Sequence, residues 1–511
     1  MSLAALGERR TASVLSRLVA REKAVIDVGS NSVRLVIFRV EGRAFTQVLN
    51  EKTLAGLGRG LGETGRLWPA GVAQAISALK RFRLLLEALG VSDVIAVATA
   101  AVRDAADGEA FVAAAERETG FRLRVLTGAE EAQAAADGVL GGAPGAVGVV
   151  GDLGGSSLEL IAVDETGAHE GETHKLGPLA IGRLEPFDAA HAATIVNQSL
   201  AGSRVLAERR GGAFYAVGGA WRGLGHIDMA LRDYPLKILH NYTISRIDAL
   251  ELSAFVQRQS RRSLEKLEGA TGRRAEMLPY AALLLGSLME AGGFDQIVIS
   301  SYGLREGLLW QALSPAERAL DPLVTGAAVL AGRDARARAF GDALEAWIAP
   351  VFSGFPDLFG PGRAAILRQA ACQLADIGAV LHPDHRADLA FNLVLRAPFG
   401  GANHVERVFL AAATYYRYSH RGSPEPRALI QKLLDEDRQA RARALGAAMR
   451  LGADLSGRSA ALLHQCTLSV QNGRLRLSGA PSAAAIATET VAKRLDQLGE
   501  VLGLKGQLAF G

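Results

Sequence analysis

The strongest constraint on how this chain folds is a pattern that occurs twice. Asp27-Val28-Gly29-Ser30-Asn31-Ser32-Val33-Arg34-Leu35-Val36 and Asp152-Leu153-Gly154-Gly155-Ser156-Ser157-Leu158-Glu159-Leu160-Ile161 align without a gap. Each copy follows an apolar run and leads into another; for the second copy these are residues 146–150 and 158–163. An apolar run, a glycine turn and a returning apolar run read as strand, tight turn and strand. One such copy alone is equally a plain hairpin. Two matched copies imply two related lobes that each present a turn to one cleft. The chemistry of the turns suits phosphate. Glycines let backbone N–H groups approach an anion, serines add hydroxyl donors, and nearby carboxylates can hold a metal against phosphate oxygens.

The chain has 511 residues, enough for roughly three or four domains on the usual size range. Its 49% hydrophobic content and ordinary charged fraction describe a globular protein. Two widely separated cysteines, Cys372 and Cys466, argue against a disulfide framework or a zinc site and fit a reducing compartment. The net charge of +4 permits a polyanionic partner without requiring one. No apolar run reaches the ~18 residues of a membrane span. No basic–aromatic interleaving or nucleic-acid motif is present. Residues 1–23 carry Arg9, Arg10, Arg17 and Arg21 without a compact apolar core, and Glu8 and Glu22 oppose a transit peptide. They read as a short amphipathic helix, packed on the body or on a partner, and the expected location is the cytoplasm.

Strands are expected at residues 24–27, 34–40, 45–49, 94–99 and 122–126, and helices at 68–89 and about 109–119. The glycine-dense segment Gly56-Leu57-Gly58-Arg59-Gly60-Leu61-Gly62 has neither the ending of a Walker loop nor the spacing of a dinucleotide fingerprint. In Thr127-Gly128-Ala129-Glu130-Glu131-Ala132, Thr127 and Glu130 form a capping box, so a helix starts there. That gives Glu130 a structural task and leaves Glu131 to project into the cleft, unless both glutamates merely complement the helix dipole. Tyr215-Ala216-Val217-Gly218-Gly219-Ala220 and Ile297-Val298-Ile299-Ser300-Ser301-Tyr302-Gly303-Leu304-Arg305-Glu306-Gly307 each run from strand to helix. Both put small residues where open α/β sheets bind ligands, although a tight strand-to-helix connection explains each equally well. From about Leu313 to Gly452 the texture is helical. Residues 467–470 and 474–477 form a hairpin around Asn472-Gly473, followed by a helix at 483–498.

Taken together, these motifs resemble the exopolyphosphatase / guanosine pentaphosphate phosphohydrolase (Ppx/GppA) family of the actin-like superfamily. The resemblance rests on Ala24-Val25-Ile26-Asp27-Val28-Gly29-Ser30-Asn31-Ser32, Ala98-Thr99-Ala100-Ala101-Val102-Arg103-Asp104, the Thr127–Ala132 segment, the Asp152–Glu159 copy and Gly303-Leu304-Arg305-Glu306-Gly307. It implies an α/β fold with two ribonuclease H/actin-like lobes forming a cleft (23–133 and 134–312) after an N-terminal extension (1–22). An all-α HD-like domain (313–455) and a small α+β domain (456–511) follow. It also implies hydrolysis of a terminal phosphoanhydride with Mg2+, in a homodimer. Glu131 is then the carboxylate that orients or deprotonates water, and Arg103 clamps phosphate charge. Asp152 and Glu159 hold or position the metal, with Asp27 as the matching carboxylate of the first copy. Ser30, Asn31, Ser32, Gly154, Gly155, Ser156 and Ser157 cradle the terminal phosphates, and Gly218 and Gly219 extend the phosphate-binding set. Two departures stand out. Ser156 replaces a third glycine, and Leu374-Ala375-Asp376 has Ala375 where a metal-dependent HD hydrolase has His, a gap that His382 and His385 do not fill.

The substrate expected from the resemblance is inorganic polyphosphate, with guanosine pentaphosphate as the alternative. An ATP-dependent phosphotransferase with an adenosine pocket at Gly218-Gly219, and a non-catalytic polyphosphate or alarmone sensor, are the competing readings. Arg427, Lys432, Arg438, Arg441, Arg443 and Arg450 either line a track for a long polyanion or form a solvated helix face.

Overall fold

The computed structural model describes residues 19–181, 187–268, 273–332, 334–419 and 424–510. The expected N-terminal helix falls almost wholly outside these residues. The first strand, β1 (Arg21–Val28), takes in Arg21 and Glu22. The chain divides into two compact units. One comprises Ala20–Val40 and Phe45–Pro315, and the other Ala316–Gly511 with Glu41–Ala44.

The first unit holds two sheets. β1, β2 (Val33–Glu41), β3 (Ala44–Thr53), β4 (Val94–Ala98) and β5 (Arg124–Val125) form a five-stranded sheet in the order β3-β2-β1-β4-β5. β6 (Gly148–Leu153), β7 (Leu158–Asp164), β8 (Gly167–His174), β9 (Ala213–Val217), β10 (Tyr242–Ser245) and β11 (Gln296–Ser300) form a six-stranded sheet in the order β10-β11-β9-β6-β7-β8. Read inward from β8, the second sheet repeats the winding of the first, with β10 added as an antiparallel edge.

The duplication extends to register. In β1–β2, Val28 faces Val33 and Asp27 faces Arg34; in β6–β7, Leu153 faces Leu158 and Asp152 faces Glu159. Parallel pairs β1–β4 and β6–β9 place Thr99 and Gly218 beside the two turns. Parallel strands need a crossover, supplied between β1 and β4 by the helix Pro69–Leu89. The central strands are buried on both faces: Ala24, Val25, Ile26, Val149 and Val150 expose none of their surface. Such near-continuous apolar runs mark strands covered on both sides.

The second unit is helical over Pro322–Leu330, Ala335–Phe352, Arg363–Gln373, Arg386–Leu395, His404–Tyr418, Pro424–Leu433 and Glu436–Ser456. It ends in a sheet of β12 (Cys466–Gln471), β13 (Arg474–Gly479) and β14 (Lys505–Phe510). Asn472 (φ 48°) and Gly473 (φ 70°) make the two-residue turn, both left-handed as the hairpin twist requires. The helix expected at 483–498 is corrected. A 3-10 turn, Pro481–Ile486, precedes a helix Glu489–Leu502, because the Thr488 hydroxyl caps a new start at Val491 N–H. Asp376 pairs with Arg458 at 3.2 Å, and His382 and His385 stand exposed on the turn before the helix Arg386–Leu395. Cys372 and Cys466 are both free and buried. No helix among the described residues is long and apolar enough to cross a membrane.

Candidate active site

The two turns are built alike. Gly29 N–H donates to the Ser32 carbonyl and Gly154 N–H to the Ser157 carbonyl, each at 3.0 Å. They meet tip to tip: a Cβ on Gly155 would stand 3.0 Å from the Ser30 Cβ and 3.5 Å from the Asn31 nitrogen. Glycine at 155 is what permits that approach. Each turn also has a brace. Gly58 N–H bonds the Ser30 carbonyl (2.8 Å) and Gly56 N–H the Asn31 carbonyl (3.0 Å), which gives the glycine-dense loop its role. On the other side Leu179 N–H bonds the Gly155 carbonyl (2.8 Å), and Gly177 leaves no room for a side chain against the Ser156 backbone.

Behind the turns lies a cavity of about 410 Å³. Asp27, Ser30, Asn31, Ser32, Glu131, Asp152, Gly154, Gly155, Ser157, Gly218 and Gly219 line it, so both repeat aspartates open on the same space. Arg103, Ser156 and Glu159 do not line it. Arg103 stands behind Glu131, Ser156 turns toward Gly58, and Glu159 lies underneath with 1% of its surface exposed.

Glu131 enters from the helix Gly128–Gly142. The capping box forms as expected: Thr127 N–H donates to Glu130 Oε2 at 2.8 Å, and Glu130 N–H to Thr127 Oγ1 at 3.2 Å. Glu130 is exposed, whereas Glu131 is buried and receives Arg103 Nη1 on Oε2 at 3.0 Å. Arg103 also donates to the Leu126 carbonyl and to Asp104. Glycines set the depth of the helix. A Cβ on Gly307 would run into the Ala134 carbonyl, and one on Gly138 into the Gly303 carbonyl. The helix Leu304–Gln311 therefore packs directly on Gly128–Gly142 and delivers Arg305 to the same cavity. At Gly218 (φ 124°) a side chain would clash with the Leu153 carbonyl, so the helix Gly219–Leu231 starts flush against β6.

The electrostatics are graded. Burial pushes the Glu131 carboxyl up to about 7, with the Asp152 and Asp27 charges adding to the rise and Arg103 opposing it. Burial and the neighbouring Glu131 hold Glu159 well above the usual carboxylate range. Neither Glu159 oxygen has a hydrogen-bond partner in good geometry, although the nearby Ser157 hydroxyl eases its ionisation. Asp152 is raised to about 6, by burial first and then by Asp27. Burial also raises Asp27, against the pull of Arg305 (3.8 Å away), Arg34 and Lys52. At the far end of this series Arg34 is lowered to about 10 by burial and by the like charges of Arg305 and Arg222. Buried carboxylates and the cations Arg34, Arg222 and Arg305 thus act on one another around the same cavity.

The sequence reading assigned nothing to Arg34, Lys52, Arg222 or Arg305. Arg34 and Arg305 stood inside motifs already singled out. Their convergence depends on two sheets meeting, which spacing along the chain does not encode.

Among the described residues, no three His, Cys, Asp or Glu side chains form a group that could hold a metal by themselves. The fit to Mg2+ is of another kind. That ion commonly takes one or two protein carboxylates and completes its octahedron with water and phosphate oxygens. Asp152 and the unpartnered buried Glu159 match that incomplete set.

The fold is shared with solved structures. An exopolyphosphatase from Cytophaga hutchinsonii superposes with a TM-score of 0.53 at 22% identity, over 57% of this chain and 99% of that one. A Ppx/GppA family member from Aquifex aeolicus gives 0.50 at 23%, over 57% and 98%. In sequence, exopolyphosphatase 2 of Mycobacterium tuberculosis is 28% identical over 311 residues, covering 56% of this chain and 96% of that protein. A guanosine-5'-triphosphate,3'-diphosphate pyrophosphatase of Aeromonas hydrophila is 25% identical over 294 residues, covering 57% and 59%. The exopolyphosphatase C-terminal family model matches residues 323–509. The Ppx/GppA phosphatase family model matches residues 36–315, more than half of the chain, and the chain belongs to that family.

Proposed function

We propose that the chain is an exopolyphosphatase, which hydrolyses the terminal phosphoanhydride of inorganic polyphosphate and releases orthophosphate. The observation that carries this reading is the make-up of one cavity: a buried glutamate with a raised pKa, two phosphate-type turns and the cations Arg34, Arg222 and Arg305 line it together. In this reading the end group of a polyanion sits at the two turns beside Glu131, and Arg34, Arg222 and Arg305 meet the charge of its phosphates.

Phosphoryl transfer needs positioning and charge neutralisation more than covalent help. Backbone N–H groups and hydroxyls at Ser30–Ser32, Gly154, Gly155 and Ser157 hold the terminal phosphate. Glu131 is the base or water-orienting group. A pKa near 7 leaves it partly ionised at neutral pH, where a carboxylate is most effective as a base. Arg103 keeps the Glu131 carboxylate in one orientation through their 3.0 Å bond and adds positive charge next to the reaction centre. Asp152 and Glu159, with Asp27 alongside, would hold Mg2+, which when bound supplies charge neutralisation at the phosphate oxygens. A cytoplasmic homodimer is the working form in this reading.

Removal of the 5'-terminal phosphate of guanosine pentaphosphate is the second reading, favoured by the relatives that carry that activity in their names. Phosphate release measured side by side on polyphosphates of graded length and on guanosine pentaphosphate, with and without Mg2+, tests both. Faster Mg2+-dependent release from polyphosphate is the expected result. Preference for the nucleotide selects the second reading, and no release from either substrate contradicts both.

A further inference from the structure

Several helices of this chain begin on a serine or threonine that caps its own first turn. The Thr127, Ser203, Ser245 and Thr488 side chains each accept the backbone N–H three residues on. Thr99 departs from that habit. It precedes the short helix Ala100–Asp104, yet its hydroxyl does not cap that helix and bonds to no other described residue. Thr99 is 5% exposed and lines the cavity that Glu131 also lines. A buried hydroxyl gives up its bonds to water, and one that gains no protein partner is set against a ligand.

The Thr99 backbone, by contrast, is fully engaged. Its N–H donates to the Val28 carbonyl at 3.1 Å, and its carbonyl accepts Val102 N–H at 3.0 Å and Arg103 N–H at 3.1 Å. Arg103 therefore joins the two cavity groups: its backbone is held by Thr99, and its guanidinium holds Glu131. A Cβ on Gly29 would stand 3.7 Å from Asp27 Oδ1 and 4.0 Å from Thr99 Oγ1, which puts the hydroxyl beside the first turn. The second copy has no equivalent. Asp27 pairs with Val97 and Asp152 with Val217, so Thr99 corresponds to Gly219. A hydroxyl in one copy alone suits a group that serves one side of a displacement, not the phosphate cradle that both copies share.

An attacking water must direct a lone pair at phosphorus, and two hydrogen bonds from its protons fix that direction. Glu131 can accept one. A threonine hydroxyl can accept the other while donating its own hydrogen to a phosphate oxygen. We propose that Thr99 is a catalytic residue that holds the attacking water jointly with Glu131. The proposal rests on the hydrolase reading of the site, whichever anhydride is the substrate. As the water oxygen bonds to phosphorus, the bond from phosphorus to the bridging oxygen breaks. One water proton passes to Glu131, the other stays on the released orthophosphate, and the bridging oxygen keeps the electron pair as the new chain end.

Thr99→Val in the full chain removes the hydroxyl at nearly constant shape, and Thr99→Ser keeps it. Phosphate release from polyphosphate and from guanosine pentaphosphate should be measured beside the melting temperature. Thr99→Val should lower kcat about tenfold or more, the effect of one hydrogen bond lost in the transition state, with KM within about twofold. Its melting temperature should match the parent, because no cap is lost. Thr99→Ser should return kcat to within about threefold of the parent. Two groups that act on one water are not additive, so adding Thr99→Val to Glu131→Gln should slow release by less than about twofold more. An unchanged kcat, a change in KM alone, no recovery with serine, or full additivity overturns the proposal. Loss of release in Glu131→Gln with parental release in Thr99→Val rejects Thr99 and keeps the site, whereas parental release from both variants rejects the site reading itself.

Discussion

Glu131 and Arg34 line the same cavity, and each has a separable consequence. Arg34 stands at the register position that Glu159 holds in the second hairpin, so the duplicated scaffold carries a cation in one lobe and a carboxylate in the other. If Arg34 grips a phosphate behind the reacting one, Arg34→Met should raise KM for polyphosphate about tenfold and leave kcat within about twofold, since the contact exists before and during reaction. A fall confined to kcat would place it elsewhere. The carboxylates make a second prediction, read from stability. Asp152 and Glu131 titrate near 6 and 7 in the folded chain, above the ~4 of an unfolded carboxyl. Groups raised in this way favour the native state while protonated. Their stabilisation is complete below about pH 4 and is lost as pH rises through 6 and 7. The melting temperature of the metal-free protein should therefore fall between pH 5 and pH 8. Glu159→Gln, which removes one of the buried charges, should flatten that fall, and so should Mg2+. A melting temperature that rises over the same range in metal-free buffer would contradict the burial of these acids.

At the scale of elements, the hairpins were legible in the sequence because a turn with glycine at a fixed offset from an acid leaves a local signature. The capping box that separated Glu130 from Glu131 was legible for the same reason. What escaped depends on distant pairing. β14 follows a helix and joins the last sheet in parallel, and β10 is a four-residue edge strand, so neither carries a periodicity of its own. The break at Thr488 hid inside an alanine-rich run that reads as continuous helix. Gly56 and Gly58 read only as part of a glycine-dense segment, yet both brace the first turn. The contact between the helices Gly128–Gly142 and Leu304–Gln311 was equally invisible, yet it fixes where Glu131 and Arg305 stand. Gly307→Ala forces these helices apart. It should cost about 1–3 kcal/mol in denaturant unfolding, the usual range for overpacking, and lower kcat more than it raises KM. An unchanged midpoint and unchanged kcat would mean the helices are free to separate.

For the molecule as a whole, the two units invite different assignments. Exopolyphosphatase 2 of Mycobacterium tuberculosis is covered to 96% by an alignment that takes in only 56% of this chain, so that relative is close in length to the first unit alone. The hydrolytic cavity lies wholly in the first unit. Deleting residues 313–511 should accordingly spare turnover of short oligophosphates and reduce turnover of long chains by about tenfold or more, the loss expected when charge-assisted contacts to the rest of the chain disappear. Equal losses on both would assign the second unit a purely structural part. Hydrolysis at the meeting point of the two hairpins is tested most directly by Glu131→Gln in the intact protein. Phosphate release and polyphosphate affinity should be measured on the same preparation. Release should drop by about 10²–10⁴-fold, the usual contribution of a positioned base, with affinity within a few-fold of the parent. Release that persists at the parental rate would contradict the role given to Glu131 and with it the site.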